Sequence, residues 1–221
     1  MTNKNPVFNI EIDRKSRNLD TKTNFLITGY GRSGTKYLSK MLNKSKKWTV
    51  LHEPRKSFDE IDKGNNQTNI VQNVFDSNKN YGEVNSYLRF HYQKLDIGKM
   101  GIIIRNPLDI YLSVCNRKNE MQHTTYLNDI VNAYENFITS YGSKIFFLKF
   151  EEIIGNPVKI SELCAYLEIS DLTKSDFVID KINQNKVVKY EKLDDLPKGS
   201  VSEIAKLIKI KKWYDEVQSY Y

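Results

Sequence analysis

The sequence is poor in the residues that usually build redox and metal centres. The chain of 221 residues contains two cysteines and three histidines. Cys115 and Cys164 lie far apart in apolar helical patterns, which predicts buried free thiols rather than a disulfide. Since the histidines are also scattered, no zinc site can be assembled from the sequence. The chemistry of any site must therefore depend on arginine, lysine, hydroxyl and carboxylate side chains.

Long apolar segments are also missing. No segment approaches the roughly 20 apolar residues that a membrane span requires, and residues 1–20 lack the apolar centre of a signal peptide. We therefore expect a cytoplasmic protein without a transmembrane segment. Residues 1–20 are predicted to be a polar tail and residues 21–221 a single domain, because a chain with 39% hydrophobic residues can build one sizeable core and is short for two.

The chain is basic, with a net charge of +7 and 34 lysines and arginines spread along its length. Such a surface is either simply solvated or attracts an anionic partner. The sequence contains no RNA-binding aromatic signature, helix-turn-helix or zinc finger, so no specific nucleic-acid partner is predicted.

Short apolar runs alternate with segments of helical spacing. The runs predict five strands: Phe25–Thr28, Trp48–Leu51, Gly82–Asn85, Gly101–Ile104 and Lys144–Phe150. Helices are predicted from the spacing of the remaining segments: Ser33–Asn43, Leu108–Cys115, Tyr126–Tyr141, Val158–Leu167 and the stretch from Ser200. This order predicts an α/β fold of three layers, in which helices cover both faces of a central, mostly parallel sheet of about five strands.

Ligands of such sheets bind at the carboxyl ends of the strands. The residues that fall there are Gly29, His52, Glu53, Asn85 and Arg105. Residues 55–80 form a polar stretch with a weak amphipathic pattern around Ile70, Val71, Val74 and Phe75. We interpret this stretch as either a lid or acceptor loop, or a surface insertion.

The first strand runs into a glycine-rich loop that resembles a P-loop with its metal ligands replaced. A nucleotide-hydrolysing P-loop reads G-x-x-x-x-G-K-[ST], where the lysine reaches the outer phosphates and the following hydroxyl binds Mg²⁺. Gly29 and Gly34 keep this spacing, but Thr35 takes the place of the lysine and Lys36 that of the hydroxyl. The loop thus predicts a P-loop NTPase-like fold with an anion site and no metal site.

Cations in this loop support an anion site. Arg32 lies within the loop and Lys36 in the first turn of the helix that follows. Positive charge is unfavourable at a helix N-terminus unless an anion is bound there. A glycine-rich turn without a ligand remains the alternative.

The fourth strand ends in Arg105, where a P-loop NTPase would carry an aspartate that helps to hold Mg²⁺. An arginine can instead hold a phosphate with two hydrogen bonds. Asn106 and Pro107 are typical of a helix start. Ser113 lies off the apolar stripe of that helix, on a face that could contact a ligand.

These motifs together resemble a known family. Arg32-Ser33-Gly34-Thr35, combined with Arg105-x-Pro107-x₅-Ser113, is similar to the paired signature of sulfotransferases that use 3′-phosphoadenosine 5′-phosphosulfate (PAPS). The segments Gly82–Tyr87 and Phe150–Ile153, the latter followed by Asn156-Pro157, also resemble segments of that family. The resemblance covers approximately residues 24–170.

The resemblance implies PAPS as the donor, 3′-phosphoadenosine 5′-phosphate (PAP) as the product, and no metal. Arg105 and Ser113 would bind the 3′-phosphate, and Arg32 and Lys36 would also stabilise charge during transfer. The residues expected at the 5′-phosphosulfate are Gly31, Arg32, Ser33, Gly34, Thr35 and Lys36. Glu83, Asn85 and Arg89 are weaker candidates for contacts with the acceptor.

The second strand supplies two candidates for the catalytic base, His52 and Glu53, at a position where related enzymes carry glutamate or histidine. Adjacent residues at a strand end point in opposite directions, so one of the two is expected to face the cleft. We favour Glu53, with His52 as the alternative.

The sequence therefore predicts a sulfotransferase that moves a sulfuryl group from PAPS to a hydroxyl acceptor, with a saccharide or glycolipid as the favoured acceptor. One alternative is a small-molecule or nucleotide kinase, which would need the missing Mg²⁺ ligands. The other is a non-catalytic module that binds an anion or polyanion.

Overall fold

The computed structural model describes residues 23–54, 66–118, 122–177, 189–197 and 204–221. The predicted polar tail, residues 1–20, and residues 55–65 of the predicted lid or insertion lie outside these ranges.

Five parallel strands form the centre of the fold. They are β1 (Phe25–Gly29), β2 (Thr49–His52), β3 (Tyr81–Val84), β4 (Lys99–Ile104) and β5 (Phe146–Lys149). The strand order is β2-β3-β1-β4-β5, and each neighbouring pair is parallel. The five predicted strands are confirmed, and the sheet is entirely rather than mostly parallel.

Helices connect and cover these strands. They are α1 (Thr35–Leu42), α2 (Asn66–Ser77), α3 (Pro107–Cys115), α4 (His123–Ser140), α5 (Phe150–Ile153), α6 (Pro157–Tyr166) and α7 (Ala205–Glu216). Within the described ranges, short 3₁₀ helices span Ser86–Phe90, Tyr92–Lys94, Lys174–Phe177 and Leu193–Asp195. The weak amphipathic pattern around Val71 and Phe75 is therefore a real helix, α2, which buries both of these side chains.

The start of α3 follows from its sequence. Asn106 Oδ1 accepts a hydrogen bond from the Leu108 amide, and Pro107 occupies the first turn. A proline fits there because its missing N–H would have no partner within the helix. Asn156 and Pro157 start α6 in the same way, so both predicted helix starts are confirmed.

Alternating strand residues feed two separate cores. Leu26, Ile102 and Ile104 pack on one face of the sheet with residues of α2, α3, α4 and α7. Ile27 and Ile103 pack on the other face with residues of α1 and α6. Both faces of the sheet are covered, so the strands are mostly apolar and the fold has three layers, as predicted.

Two further expectations can be compared with the described part of the chain. Both cysteines are free and buried, and burial raises the pKa of the Cys115 thiol to about 11 and that of Cys164 to about 12. None of the helices in the described ranges combines the length and the apolar character that crossing a bilayer requires.

Candidate functional site

The glycine-rich loop lies at the carboxyl end of β1, the central strand, and leads directly into α1. Gly34 has a φ of 94°, and a Cβ added there would lie 2.2 Å from the Phe150 ring. A Cβ on Gly29 would lie 2.3 Å from the Ile103 carbonyl oxygen. Both glycines of the P-loop-like pattern are therefore required by the close packing of the loop against β4 and α5.

Ser33 supports this loop from within. Its side chain is fully buried, and both its amide and its hydroxyl donate hydrogen bonds to the Tyr30 carbonyl, at 3.1 and 2.6 Å. The Ser33 hydroxyl and amide are therefore used inside the turn, where they hold the backbone of the loop that was predicted to bind the donor.

The N-terminus of α1 is prepared for an anion. Its N-cap residue is Gly34, which has no side chain to cap the first amides, and the first turn contains no acidic residue. The first amides of a helix have no partner within the helix, and the helix dipole places partial positive charge there. Lys36 is exposed in this same turn and adds a full positive charge.

A cleft of about 1130 Å³ opens beside this helix end. Among the described residues that line it, Gly31, Arg32, Gly34, Thr35 and Lys36 come from the loop and the start of α1. The cations that line it are Arg32, Lys36, Arg89, Arg105, Arg117, Lys118 and Lys174, whereas the acidic residues in its described lining are Glu53 and Asp129. This excess of positive charge favours an anionic ligand.

Three guanidinium groups meet on one side of the cleft. Arg32 Nε donates a hydrogen bond to Ser113 Oγ at 3.1 Å, and a terminal nitrogen of Arg105 donates to the Arg32 carbonyl at 3.2 Å. Burial, together with repulsion from Arg117 and Arg105, lowers the pKa of Arg32 to about 10. The structure thus brings the predicted residues Arg32, Arg105 and Ser113 together, with the two arginines lining the cleft and Ser113 contacting Arg32 from outside its lining. An anion beside the arginines would relieve the repulsion.

Arg105 is held in place by its surroundings. The hydroxyl of the buried Tyr134 donates to the Arg105 carbonyl and accepts from the Arg105 amide at 3.1 Å. The guanidinium carbon lies 5.2 Å above the centre of the Phe150 ring. Arg105 Nε has no hydrogen-bond partner among the described residues, although Glu151 Oε1 lies 3.8 Å away. The Arg105 side chain is 28% exposed and lines the cleft, so its guanidinium can reach a phosphate there.

The candidate bases line the same cleft, next to the start of α1. His52 Nε2 lies 3.4 Å from Thr35 Oγ1 and 3.7 Å from Glu53 Oε1. Glu53 accepts a short hydrogen bond from the Ser86 hydroxyl. Burial and the nearby Lys36 lower the pKa of His52, with Glu53 opposing them. His52 is therefore neutral at neutral pH.

Both His52 and Glu53 line the cleft, which corrects the expectation that only one of them faces it. The alternation rule fails because β2 ends at His52 and Glu53 follows with a φ of 46°. This left-handed backbone conformation turns the Glu53 side chain towards the same side as His52.

Two of the predicted acceptor contacts are corrected as well. Glu83 and Asn85 are fully buried and do not line the cleft. The Tyr81 hydroxyl and the Asn85 amide group donate to the two oxygens of Glu83, at 2.7 and 3.1 Å. Asn85 also caps the 3₁₀ helix Ser86–Phe90 by accepting from the Tyr87 amide. Both residues are therefore buried supports for β3 and the 3₁₀ helix that follows it. Arg89, the third predicted contact, lines the cleft.

Sequence reasoning missed several residues of the described cleft lining, among them Tyr30, Ser86 and Asp129. Ser86 lies within the segment Gly82–Tyr87, whose resemblance to a sulfotransferase segment could have indicated it. Asp129 lies on α4 and contacts Arg89, 40 positions earlier in the chain, which no local pattern could have indicated.

Comparisons with known proteins bear on the fold. No protein-family model and no curated protein matches the chain. Among solved structures, the sulfotransferase domain of the Synechococcus PCC 7002 olefin synthase aligns with 88% of this chain and 94% of its own, at 12% identity and a TM-score of 0.51. The sulfotransferase domain from the curacin biosynthetic pathway aligns with 86% of this chain and 96% of its own, at 11% identity and a TM-score of 0.50.

A sulfotransferase from Alicyclobacillus acidocaldarius aligns with 86% of this chain and 95% of its own, at 19% identity and a TM-score of 0.48. At such identities a likeness concerns the fold and not the activity. The two sulfotransferase domains with TM-scores of 0.50 and above each align with more than four fifths of this chain. The chain therefore has the fold of the sulfotransferases, as its motifs implied.

Proposed function

We propose that the protein is a sulfotransferase that moves a sulfuryl group from PAPS to a hydroxyl acceptor without a metal. The observation that carries this proposal is the meeting of Arg32, Arg105 and Ser113 beside the N-terminus of α1. One cleft thus contains two neighbouring anion sites. PAPS carries negative charge at two ends, the 5′-phosphosulfate and the 3′-phosphate, and such a donor would occupy both.

The loop and the start of α1 are the proposed site of the 5′-phosphosulfate. Gly31, Gly34 and Thr35 would present backbone amides, and Lys36 a full positive charge. Arg105, Ser113 and Arg32 would bind the 3′-phosphate. An arginine suits this role because its planar fork can make two hydrogen bonds to one phosphate.

Transfer requires an in-line displacement at sulfur. The acceptor oxygen forms a bond to sulfur while the bond between sulfur and the bridging oxygen of the 5′-phosphate breaks, and PAP leaves. Lys36, Arg32 and the amides of α1 would stabilise the charge that develops on the leaving phosphate. Positioning and electrostatics supply most of the rate in this kind of transfer.

The acceptor proton goes to Glu53 in this proposal. Its carboxylate faces the cleft and is oriented by the Ser86 hydroxyl. His52, neutral at neutral pH, lies between Glu53 and the Thr35 hydroxyl of the loop. A neutral histidine leaves Glu53 free of a strong ion pair, so the carboxylate can accept a proton.

The chain carries cations where a P-loop kinase would carry metal ligands. Lys36 stands in place of the metal-binding hydroxyl and Arg105 in place of the aspartate at the strand end. Both charges would repel Mg²⁺. This substitution supports a metal-independent donor over a nucleotide that needs Mg²⁺. The favoured acceptor class is a saccharide or glycolipid.

Thermal unfolding with added ligand tests the proposed donor. A ligand that binds the folded state at about 100 times its Kd stabilises a protein by about 2.7 kcal/mol. PAP should raise the Tm in the presence of EDTA, whereas ATP with Mg²⁺ should not. Stabilisation by ATP with Mg²⁺ alone would contradict the proposal and indicate a kinase.

A further inference from the structure

A continuous row of polar side chains leads away from the candidate base. Glu53 accepts from the Ser86 hydroxyl, and the Ser86 carbonyl accepts from Arg89 Nη1 at 3.1 Å. Arg89 Nη2 donates to both oxygens of Asp129, at 3.0 and 3.2 Å. These four residues all line the cleft, and we call them the polar wall.

Neighbouring side chains hold the polar wall in place. The Arg89 guanidinium carbon lies 5.3 Å from the centre of the Tyr30 ring and 4.8 Å from that of Phe90. Asn136 Nδ2 donates to the Arg89 carbonyl at 2.9 Å. Burial and the neighbouring Asp129 raise the pKa of Tyr30, so its hydroxyl stays protonated and hydrogen-bonds Asp129. Such fixed groups can bind a ligand at little cost in side-chain entropy.

Part of the wall remains reachable from the cleft. The side chains of Arg89 and Asp129 are 21% and 30% exposed. A carboxylate has more acceptor positions than its contacts with Arg89 and Tyr30 fill. Asp129 can therefore accept one more hydrogen bond, from a group inside the cleft.

Charge distinguishes the polar wall from the part of the cleft that is proposed to bind PAPS, which we call the donor side. The wall contains two carboxylates, Glu53 and Asp129, and one guanidinium, Arg89, whereas Arg32, Arg105 and Arg117 meet on the donor side. A carboxylate in a cleft that binds a polyanionic donor is unfavourable for that donor. Asp129 is paired with Arg89, and the acceptor positions that this pair leaves open suit the second substrate better than the donor.

We propose that the polar wall binds a neutral saccharide acceptor, an inference that rests on the proposed function. With its reacting hydroxyl at Glu53, the acceptor would extend along Ser86 towards Arg89 and Asp129. Asp129 would accept a hydrogen bond from a second hydroxyl of the sugar, and Arg89 would donate one. Tyr87, which lines the cleft and is 38% exposed, offers an aromatic face for the apolar side of a sugar ring.

An acidic acceptor would meet repulsion at this wall. A uronate or sulfate group placed there would lie beside Glu53 and Asp129, a mismatch that rejects wrong partners. A nearby cation is Lys118, whose Nζ lies 5.4 Å from the centre of the Tyr126 ring, one helical turn before Asp129. Because Lys118 could attract an acidic group, the experiment must distinguish an acidic acceptor from a neutral one.

Transfer from labelled PAPS to matched acceptors tests the inference. The probes are maltotriose, the same trisaccharide oxidised to a terminal uronate, and 4-nitrophenol. The neutral sugar should have a kcat/KM at least about tenfold above that of either other probe, since one charged hydrogen bond accounts for such a ratio. A preference for the uronate or the phenol would overturn the inference and leave the proposed function intact.

Binding of PAP is measured in parallel, so that failure of the proposed function can be distinguished from failure of the inference about the acceptor. Absence of PAP binding would contradict the proposed function itself. PAP binding with no transfer to any of the three probes, nor to galactosides and mannosides tested next, would overturn the neutral-sugar acceptor.

Substitutions assign the effect to the wall. Asp129→Asn should raise the acceptor KM about tenfold, leave PAP affinity unchanged, and improve the uronate relative to the neutral sugar. Arg89→Lys keeps the charge but loses the fork, and should also raise the acceptor KM. A purely structural role would lower Tm and PAP affinity without changing the ratio between the two sugars, and that result would overturn the inference.

The matched control is Asp215→Asn. Asp215 makes an ion pair with Lys211 at 2.6 Å on the surface of α7 and does not line the cleft. The Asp215→Asn variant loses one negative charge from an ion pair, as Asp129→Asn does. The acceptor KM and the preference between the two sugars should stay at wild-type values in this variant.

Discussion

At the residue scale, the candidate site depends on like charges that the protein holds close together. Burial, together with Arg117 and Arg105, lowers the pKa of Arg32, and burial, together with Lys36 and against Glu53, lowers that of His52. Such repulsion costs stability unless the site gains an anion. Functional sites commonly contain such perturbed groups. The charges at individual positions therefore give the sharpest predictions.

Arg105→Ala should weaken PAP binding by about tenfold to a hundredfold, because a charged hydrogen-bond donor to a phosphate is lost. Isothermal titration with PAP measures the affinity. Lys211→Ala, which removes a cation on the surface of α7 outside the cleft, should leave it unchanged. An unaltered affinity in Arg105→Ala would remove Arg105 from the donor site.

Glu53→Gln should lower kcat by at least about a hundredfold, which is the usual contribution of a general base. PAP affinity should stay within about twofold, because the amide keeps the shape of the side chain and its contact with Ser86. His52→Gln should retain more activity than Glu53→Gln. Full activity in Glu53→Gln would contradict the assignment of Glu53 as the general base. A larger loss of activity in His52→Gln would identify His52 as the base instead.

The pH dependence follows from the lowered pKa of His52. Protonated His52 would pair with Glu53 and weaken it as a base, so activity is lost as the pH falls through the pKa of His52. Because that pKa lies below the ordinary 6.5, the acid limb of kcat/KM should also lie below 6.5. Lys36→Met removes a repelling charge, raises the pKa and should move this limb to higher pH.

The control for this shift is Lys40→Met. Lys40 lies one turn further along α1, is exposed and does not line the cleft. Its replacement should leave the acid limb in place. A limb that stays fixed, or moves to lower pH, in Lys36→Met would contradict the electrostatic account of His52.

At the element scale, the unit that builds the donor site is β1, its loop and α1. The loop can pass close under α5 because Gly34 leaves room for the Phe150 ring, and Phe150 also lies beneath Arg105. One glycine thus affects the shape of the loop and, through Phe150, the position of a cation in the second anion site.

Gly34→Ala should destabilise the fold and impair PAP binding. The substitution places a Cβ at a φ of 94° and within 2.2 Å of the Phe150 ring. The first effect costs about 1–2 kcal/mol and the second a further 1–3 kcal/mol. Chemical denaturation and PAP titration measure the two consequences.

Gly142→Ala separates the two effects. Gly142 also has a positive φ, 80°, but a Cβ there meets no atom within 4 Å. It should show the backbone cost alone, with normal PAP binding. Equal losses in both variants would mean that contact with Phe150 has no role in forming the loop.

The elements were largely predictable from the sequence because their signals are local. Apolar runs gave all five strands, and Asn-Pro pairs gave the starts of α3 and α6. The loop and Arg105 were found because each follows directly after a strand. The contact between Arg89 and Asp129 could not be found, since it joins the 3₁₀ helix after β3 to α4.

Two wrong predictions share a physical cause. Glu83 and Asn85 lie in a matched motif, but each turns its side chain inward to hold backbone or a neighbour. A motif identifies which segment forms the site but not which of its side chains face the ligand. Likewise the alternation rule failed at Glu53, because the strand had already ended.

At the scale of the whole molecule, the sheet separates two cores and leaves one edge for chemistry. Residues of one core come from α2, α3, α4 and α7, and those of the other from α1 and α6. Loops at the carboxyl ends of β1, β2, β3 and β4 all contribute to the cleft. Packing therefore fixes the relative positions of the donor side and the polar wall.

The central claim is metal-independent sulfuryl transfer from PAPS. Its most direct test is to incubate the protein with PAPS labelled in the sulfuryl group, a saccharide acceptor and excess EDTA, and to quantify PAP and the labelled product. We expect the two products in equal amounts, at a rate that Mg²⁺ does not raise. Absence of transfer from PAPS, together with Mg²⁺-dependent phosphoryl transfer from ATP, would contradict the account.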